Sequence, residues 1–164
     1  MHGGKNVKFK QFQFLMNEAI KKLTALEEEP LRLRKRTVEE CLSADAVMLA
    51  YIGDAVYSMY VRERVVQMNI TKVQVLHTIV TEFICAKSQA KVLHEIEDTF
   101  TEQEHAIARR ARNSNVNVPK SSSVQEYRSS TAFEAVLGFL YETRQEERLQ
   151  HIMEQAFSIT LRGM

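Results

Sequence analysis

At 164 residues the chain reads as one domain, long enough to bury about 70% of the surface its extended form would expose. Hydrophobic residues make up 45% and charged residues 26%, with only 5 Gly and 2 Pro, which argues against turn-rich strand folds and for long helices. The 22 basic residues are balanced by 21 acidic ones, so a strongly basic nucleic-acid binder is excluded on global charge and any polyanion site must be local.

Cys41 and Cys85 share no metal-type spacing with each other or with His2, His77, His94, His105 and His151, and read as reduced thiols. No positively charged start leads into an apolar stretch, and no run of about 18 apolar residues occurs. The expectation is a cytoplasmic protein with no membrane partner.

In chain order, Phe9, Phe12, Leu15, Met16, Ala19, Leu23 and Leu26 recur at three- and four-residue steps, which predicts a helix closed by Pro30. The segment Arg32, Arg34, Lys35 and Arg36 follows the acidic Glu27 to Glu29 and reads as a solvated basic connector. Ser43 is the expected N-cap of a second helix from Ala44 to Gln67, apolar nearly all round and so expected at the centre of the core. A third helical region runs from Thr71 to Glu97, with a break near Ile84. Thr101 and Glu104 fit a capping box for a short helix reaching Arg110. Residues 111–123 lose periodicity and gather Asn113, Ser114, Asn115, Asn117, Pro119 and Ser121 to Ser123, the composition of a loop. Helical spacing returns over Val124–Glu142 and Gln145–Phe157. The reading is an all-α bundle.

Two acids stand apart. Asp54 is the single charged residue between Ala46 and Val61, and Glu134 is the single one between Thr131 and Tyr141. A carboxylate buried without a partner costs several kcal/mol, so each is expected to be protonated, ion-paired or bound to metal. Mg²⁺ favours carboxylate oxygens, keeps several waters, and needs only one or two protein ligands when a phosphate supplies more. Mn²⁺ is the natural substitute. Gly53, beside Asp54, leaves room for close approach of another helix or a ligand.

Local charge gathers in one place. Between Arg109 and Arg128 five basic residues face one acid, and Arg109, Arg110, Arg112, Asn113, Lys120 and Arg128 are candidate RNA contacts that grip phosphates and 2′-hydroxyls without reading bases. Capping of a helix end by solvated Arg residues explains the same run. Tyr127, Phe133, the scattered His residues and the seven Met residues read as packing or surface groups.

The strings Leu49-Ala-Tyr-Ile-Gly-Asp-Ala-Val-Tyr57 and Tyr127-Arg-Ser-Ser-Thr-Ala-Phe-Glu-Ala-Val-Leu-Gly-Phe-Leu-Tyr141 resemble the two signature helices of ribonuclease III catalytic domains. Ala86-Lys-Ser-Gln-Ala90, Arg112-Asn113, Pro119-Lys120 and Val124-Gln125 also resemble the compact bacterial branch, Mini-ribonuclease III, over roughly residues 44–160. The resemblance implies a ribonuclease III-like helical bundle over residues 41–164, with residues 1–40 as an N-terminal helical extension and no separate double-stranded RNA-binding domain. It further implies a homodimeric, Mg²⁺-dependent endoribonuclease that cuts double-stranded RNA, with precursor 23S ribosomal RNA as substrate in a ribosome-assembly setting. On that reading Asp54 and Glu134 are the catalytic metal ligands. Larger members carry further acids where this chain has Ala50 and Thr131, which motivates an alternative, a non-cleaving RNA-binding or ribosome-associated protein of the same fold. A structural helical dimer with ion-paired acids is the third reading.

Overall fold

The computed structural model describes residues 3–28, 34–115, 117–120 and 122–164, so the expectations for Pro30, Arg32 and Ser121 lie outside the described residues. The chain divides into two units, Met1–Arg34 and Lys35–Met164. The first holds one helix, α1 (Gly3–Glu28), wider at both ends than its apolar period predicts. Its stripe of Phe9, Phe12, Leu15, Met16 and Leu23 is exposed.

The second unit contains α2 (Val38–Ser43), α3 (Ala46–Val66), α4 (Val73–Ile84), α5 (Ala86–Ile96), a single 3₁₀ turn (Glu97–Thr99), α6 (Glu102–Arg112), α7 (Val124–Glu142) and α8 (Glu146–Arg162). There is no strand among the described residues. Side-chain caps start four of the eight α-helices among the described residues, namely α2, α3, α6 and α7. Ser123 and Glu126 close a capping box on α7, as Thr101 and Glu104 do on α6, satisfying backbone N–H groups that a first helical turn leaves without partners. The expected break near Ile84 falls at Cys85, whose extended backbone separates α4 from α5.

Three expectations need correction. The basic connector is not solvated throughout: Lys35 and Arg36 are half-buried and pair with Glu142 at 3.9 and 3.6 Å, and directly after them lies an unpredicted helix, α2, capped by Thr37 through a further capping box with Glu40. Ser43 is not the N-cap of α3. It ends α2, its hydroxyl donating to the Glu39 and Glu40 carbonyls, while Asp45 caps α3 by accepting from the Val47 N–H at 2.9 Å. Nor is α3 the central helix. That place belongs to α7, whose Ala132, Phe133, Ala135, Val136, Leu137, Phe139 and Leu140 are all buried and against which α3, α5 and α6 pack most extensively. Phe133 meets Tyr57 edge-on with ring centres 5.4 Å apart, a packing role as expected. Of the methionines, Met153 is in the core, but Met48, Met59 and Met68 are exposed.

α3 and α7 cross at glycine. A Cβ built on Gly53 would land on the Glu134 carbonyl oxygen and lie 2.8 Å from the Gly138 nitrogen, while one on Gly138 would land on the Leu49 carbonyl. The two backbones therefore touch directly, and of the two roles open to Gly53 the structure selects close approach of a helix.

A buried ion pair ties α6 to α8. Glu104, 1% exposed, accepts from Arg148 Nε and Nη2, both at 2.9 Å, and Arg148 Nη2 also reaches the Thr99 carbonyl at 2.8 Å. Burial pushes the Glu104 carboxyl up, but hydrogen bonds from Arg148 and the Thr101 N–H, with the Arg148 charge, more than offset this and leave it below its ordinary 4.5. Stability from this lowered carboxyl is complete above pH 4.5 and lost as pH falls through its folded value. Arg148→Met strands the carboxylate and is expected to cost about 3 kcal/mol in urea unfolding at neutral pH, with the deficit shrinking below pH 4. An unchanged urea midpoint at pH 7 would refute the assignment.

Candidate active site

Glu134 projects from the middle of α7 and Asp54 from α3, next to the glycine contact that sets the helix spacing. Both line one cleft of about 340 Å³, together with Ala50, Tyr51, Ile84, Gln89, Pro119, Ser122, Tyr127 and Thr131 among others. The expectation that both acids are buried holds only in part. Glu134 is largely enclosed, whereas Asp54 is exposed, because α3 is covered by its neighbours on one face only. All-round apolarity in a helix does not say which side the neighbours cover.

Burial first, and the facing Asp54 charge second, push the Glu134 carboxyl up to about 8, with the Gln89 amide drawing it partly back. Gln89 nonetheless closes no hydrogen bond of good geometry through either amide atom. Two carboxyls facing one open cleft, one of them kept from ionising by burial and by the other, form an arrangement that a cation relieves. The donor set suits a hard divalent ion: two carboxylates and an uncommitted amide, with no cluster of three or more His, Cys, Asp or Glu among the described residues, leave positions for water and substrate oxygens. Ala50 and Thr131 both line this cleft without bringing a carboxylate, and the Thr131 hydroxyl is already given to the Tyr127 carbonyl.

The basic candidates do not act as one group. Arg110 donates through Nη1 and Nη2 to the Leu42 and Ala44 carbonyls, so its guanidinium fastens α6 to the junction of α2 and α3. Arg109 is exposed on α6 and Lys120 is exposed in the loop. Arg112, Asn113 and Arg128 do come together, lining a second cleft of about 860 Å³ with Lys87, Lys91 and His94 of α5. Arg112 pairs there with Glu97 at 2.9 Å. Lys87 and Lys91 were not among the sequence candidates, although a four-residue step on a helix places two charges on one face. Pro119 and Ser122 of the loop border the acid cleft.

A model of the ribonuclease III domain matches residues 47–145, which includes both acids. Among curated proteins the chain is 42% identical over 124 residues to a Mini-ribonuclease 3 of Thermoanaerobacter sp., covering 75% of this chain and 87% of that protein. It is 39% identical over 123 residues to a Mini-ribonuclease 3 of Symbiobacterium thermophilum, covering 74% and 95%. A crystal structure of a Fusobacterium nucleatum protein superposes with a TM-score of 0.65 at 30% identity, over 68% of this chain and 92% of that one. The chain belongs to the ribonuclease III family, in its compact Mini-ribonuclease 3 branch. Its all-α fold is that of the ribonuclease III domain, and its activity is that of an endoribonuclease.

Proposed function

We propose that this chain is a Mg²⁺-dependent endoribonuclease acting on double-stranded RNA, with Asp54 and Glu134 as its catalytic metal ligands and residues 41–164 as the catalytic region. The observation that carries the reading is the cleft in which α3 and α7 present these two acids together. A divalent ion bound there supplies positive charge to the scissile phosphate and activates water for attack. The chain's own residues hold and orient. Asp54 and Glu134 would hold the ion as carboxylates, the Glu134 proton passing to solvent. Arg112, Asn113 and Arg128, with Lys87 and Lys91, offer cations and hydrogen-bond donors to a phosphate backbone, a contact mode that selects duplex shape rather than sequence.

Two further parts of the proposal have different supports. A homodimer is supported by the open stripe of α3, where Met48, Tyr51, Met59 and Val66 recur on one helix face and Tyr51 is 82% exposed. Precursor 23S ribosomal RNA as substrate, a ribosome-assembly context and a cytoplasmic location are supported by the family relationship. No helix among the described residues is long and apolar enough to cross a membrane.

The test is cleavage of a duplex and of its separated strands by the purified chain. Cutting of the duplex in Mg²⁺ or Mn²⁺, abolished by chelation and absent on single strands, is the expected result. Metal-independent cutting, or equal cutting of single strands, would overturn the reading. The absence of carboxylates at positions 50 and 131 favours the second reading, a duplex binder that does not cut, and duplex retention without products in any divalent ion would establish it.

A further inference from the structure

Gln89 stands on the inward face of α5, in register with Val92, Leu93 and Ile96, where helical spacing asks for an apolar side chain. It is 1% exposed, and neither Nε2 nor Oε1 has a hydrogen-bond partner. An unpartnered buried amide is a cost to folding that packing alone does not explain. Its position does. Gln89 lines the cleft of Asp54 and Glu134 together with Ala50 and Thr131, whose side chains bring no carboxylate. The Ser130 and Thr131 hydroxyls in the same cleft both donate to the Tyr127 carbonyl, at 2.9 Å, and are committed. The Gln89 amide is not.

We infer that Gln89 is a positioning residue of the acid site, its amide N–H holding the Glu134 carboxylate in place and its carbonyl oxygen serving the shell of a divalent cation bound by Asp54 and Glu134. This rests on the metal-ligand reading above. A neutral amide suits the place better than a third acid, because it supplies an oxygen without adding to the repulsion between two carboxylates. It also donates, which no carboxylate at this position does when ionised.

The test measures Mn²⁺ binding by calorimetry and urea unfolding of the chelated protein, for wild type, Gln89→Leu, Gln89→Met, Gln89→Glu and Asp54→Asn. Gln89→Leu and Gln89→Met are expected to bind Mn²⁺ at least about tenfold more weakly, while their chelated forms are as stable as wild type or more so. Gln89→Glu, which keeps an oxygen, retains more affinity than either. A merely structural role gives the opposite pattern, lost stability with unchanged Mn²⁺ affinity, and overturns the inference, as does failure of both apolar variants to fold. The two readings fail separately. Wild-type Mn²⁺ binding by Asp54→Asn refutes the metal-ligand reading itself, whereas its loss there beside normal binding in Gln89→Leu refutes only the role of Gln89.

Discussion

Asp54→Asn and Glu134→Gln are each expected to slow duplex cleavage by about a thousandfold while leaving helix content unchanged. The amides keep the shape of the acids and remove their charge, so what is lost is the hold on a divalent ion and the stabilisation of charge that it brings to the phosphate. Raising Mg²⁺ or Mn²⁺ to millimolar levels should recover part of the Asp54→Asn activity. On the proposed reading, added metal is expected to help Asp54→Asn more, because Asp54 is exposed and Glu134 is enclosed. Cleavage within threefold of wild type in both variants would dismiss the pair.

The Glu134 substitution has a second, independent signature in the chelated protein. A carboxyl held at about 8 in the fold against 4.5 ordinarily is protonated in both states below pH 4.5. Between those values the unfolded chain releases its proton and the folded one keeps it, so stability falls as pH rises, and above pH 8 the loss is complete. Glu134→Gln removes that dependence. It is expected to gain on wild type steadily from pH 5 to pH 8, ending on the order of 2–4 kcal/mol more stable. Parallel unfolding curves for the two proteins across that range would contradict the burial and the facing Asp54 charge as causes.

Gly53→Ala is expected to be the most damaging single-methyl change in the catalytic unit. The new carbon would fall on the Glu134 carbonyl oxygen, 2.7 Å from its carbon and 2.8 Å from the Gly138 nitrogen. All three are backbone atoms with no rotamer in which to retreat, so α3 and α7 must part and the core around Tyr57 and Phe133 opens with them. A loss of about 3 kcal/mol or more is expected, enough to lower the melting temperature by roughly 10 °C and to separate the two acids. Gly138→Ala should come close to it, since its Cβ would sit 2.6 Å from the Leu49 carbonyl carbon. Gly163→Ala is the control. There the tight neighbour is the end of the Lys91 side chain at 3.0 Å, which can swing away, and a change of less than about 0.5 kcal/mol is expected. Thermal unfolding of the three variants decides the matter, and a Gly53→Ala protein melting within 2 °C or so of wild type would show that the helices give way easily.

Much of the bundle could be read from the chain because its punctuation is local. The capping box at Thr101 and the three-to-four-residue apolar rhythm of α7 are written in consecutive residues, whereas the box at Ser123 and Glu126 is hidden in a run of serines that reads as loop. The same kind of signal stood at Thr37 and Glu40 and went unused, because a six-residue helix among charges has too few turns to show a period. Which face of α3 is covered could not be read at all. Its apolar residues occupy every side, and only the packing of α7 on Gly53 decides that Tyr57 is inside and Tyr51 outside. The acids were legible as isolated charges, yet their common cleft depends on contacts between segments 80 residues apart. Arg110 shows the limit from the other side: a basic residue beside a loop looks like a phosphate contact until the carbonyls of Leu42 and Ala44 appear beneath it. The relatives name the activity, but the division of labour among the basic residues comes from the three-dimensional arrangement.

The glycine contact has a consequence for how the acid cleft fills. Asp54 and Glu134 are carried on helices whose backbones are already pressed together, so no segment has to fold or close to bring them into register. On the proposed metal-ligand reading, filling this site would be chiefly an exchange of a proton for a cation, with little apolar surface withdrawn from water and little chain entropy surrendered. Its enthalpy then follows the ionisation heat of the buffer more closely than any conformational transition of the protein.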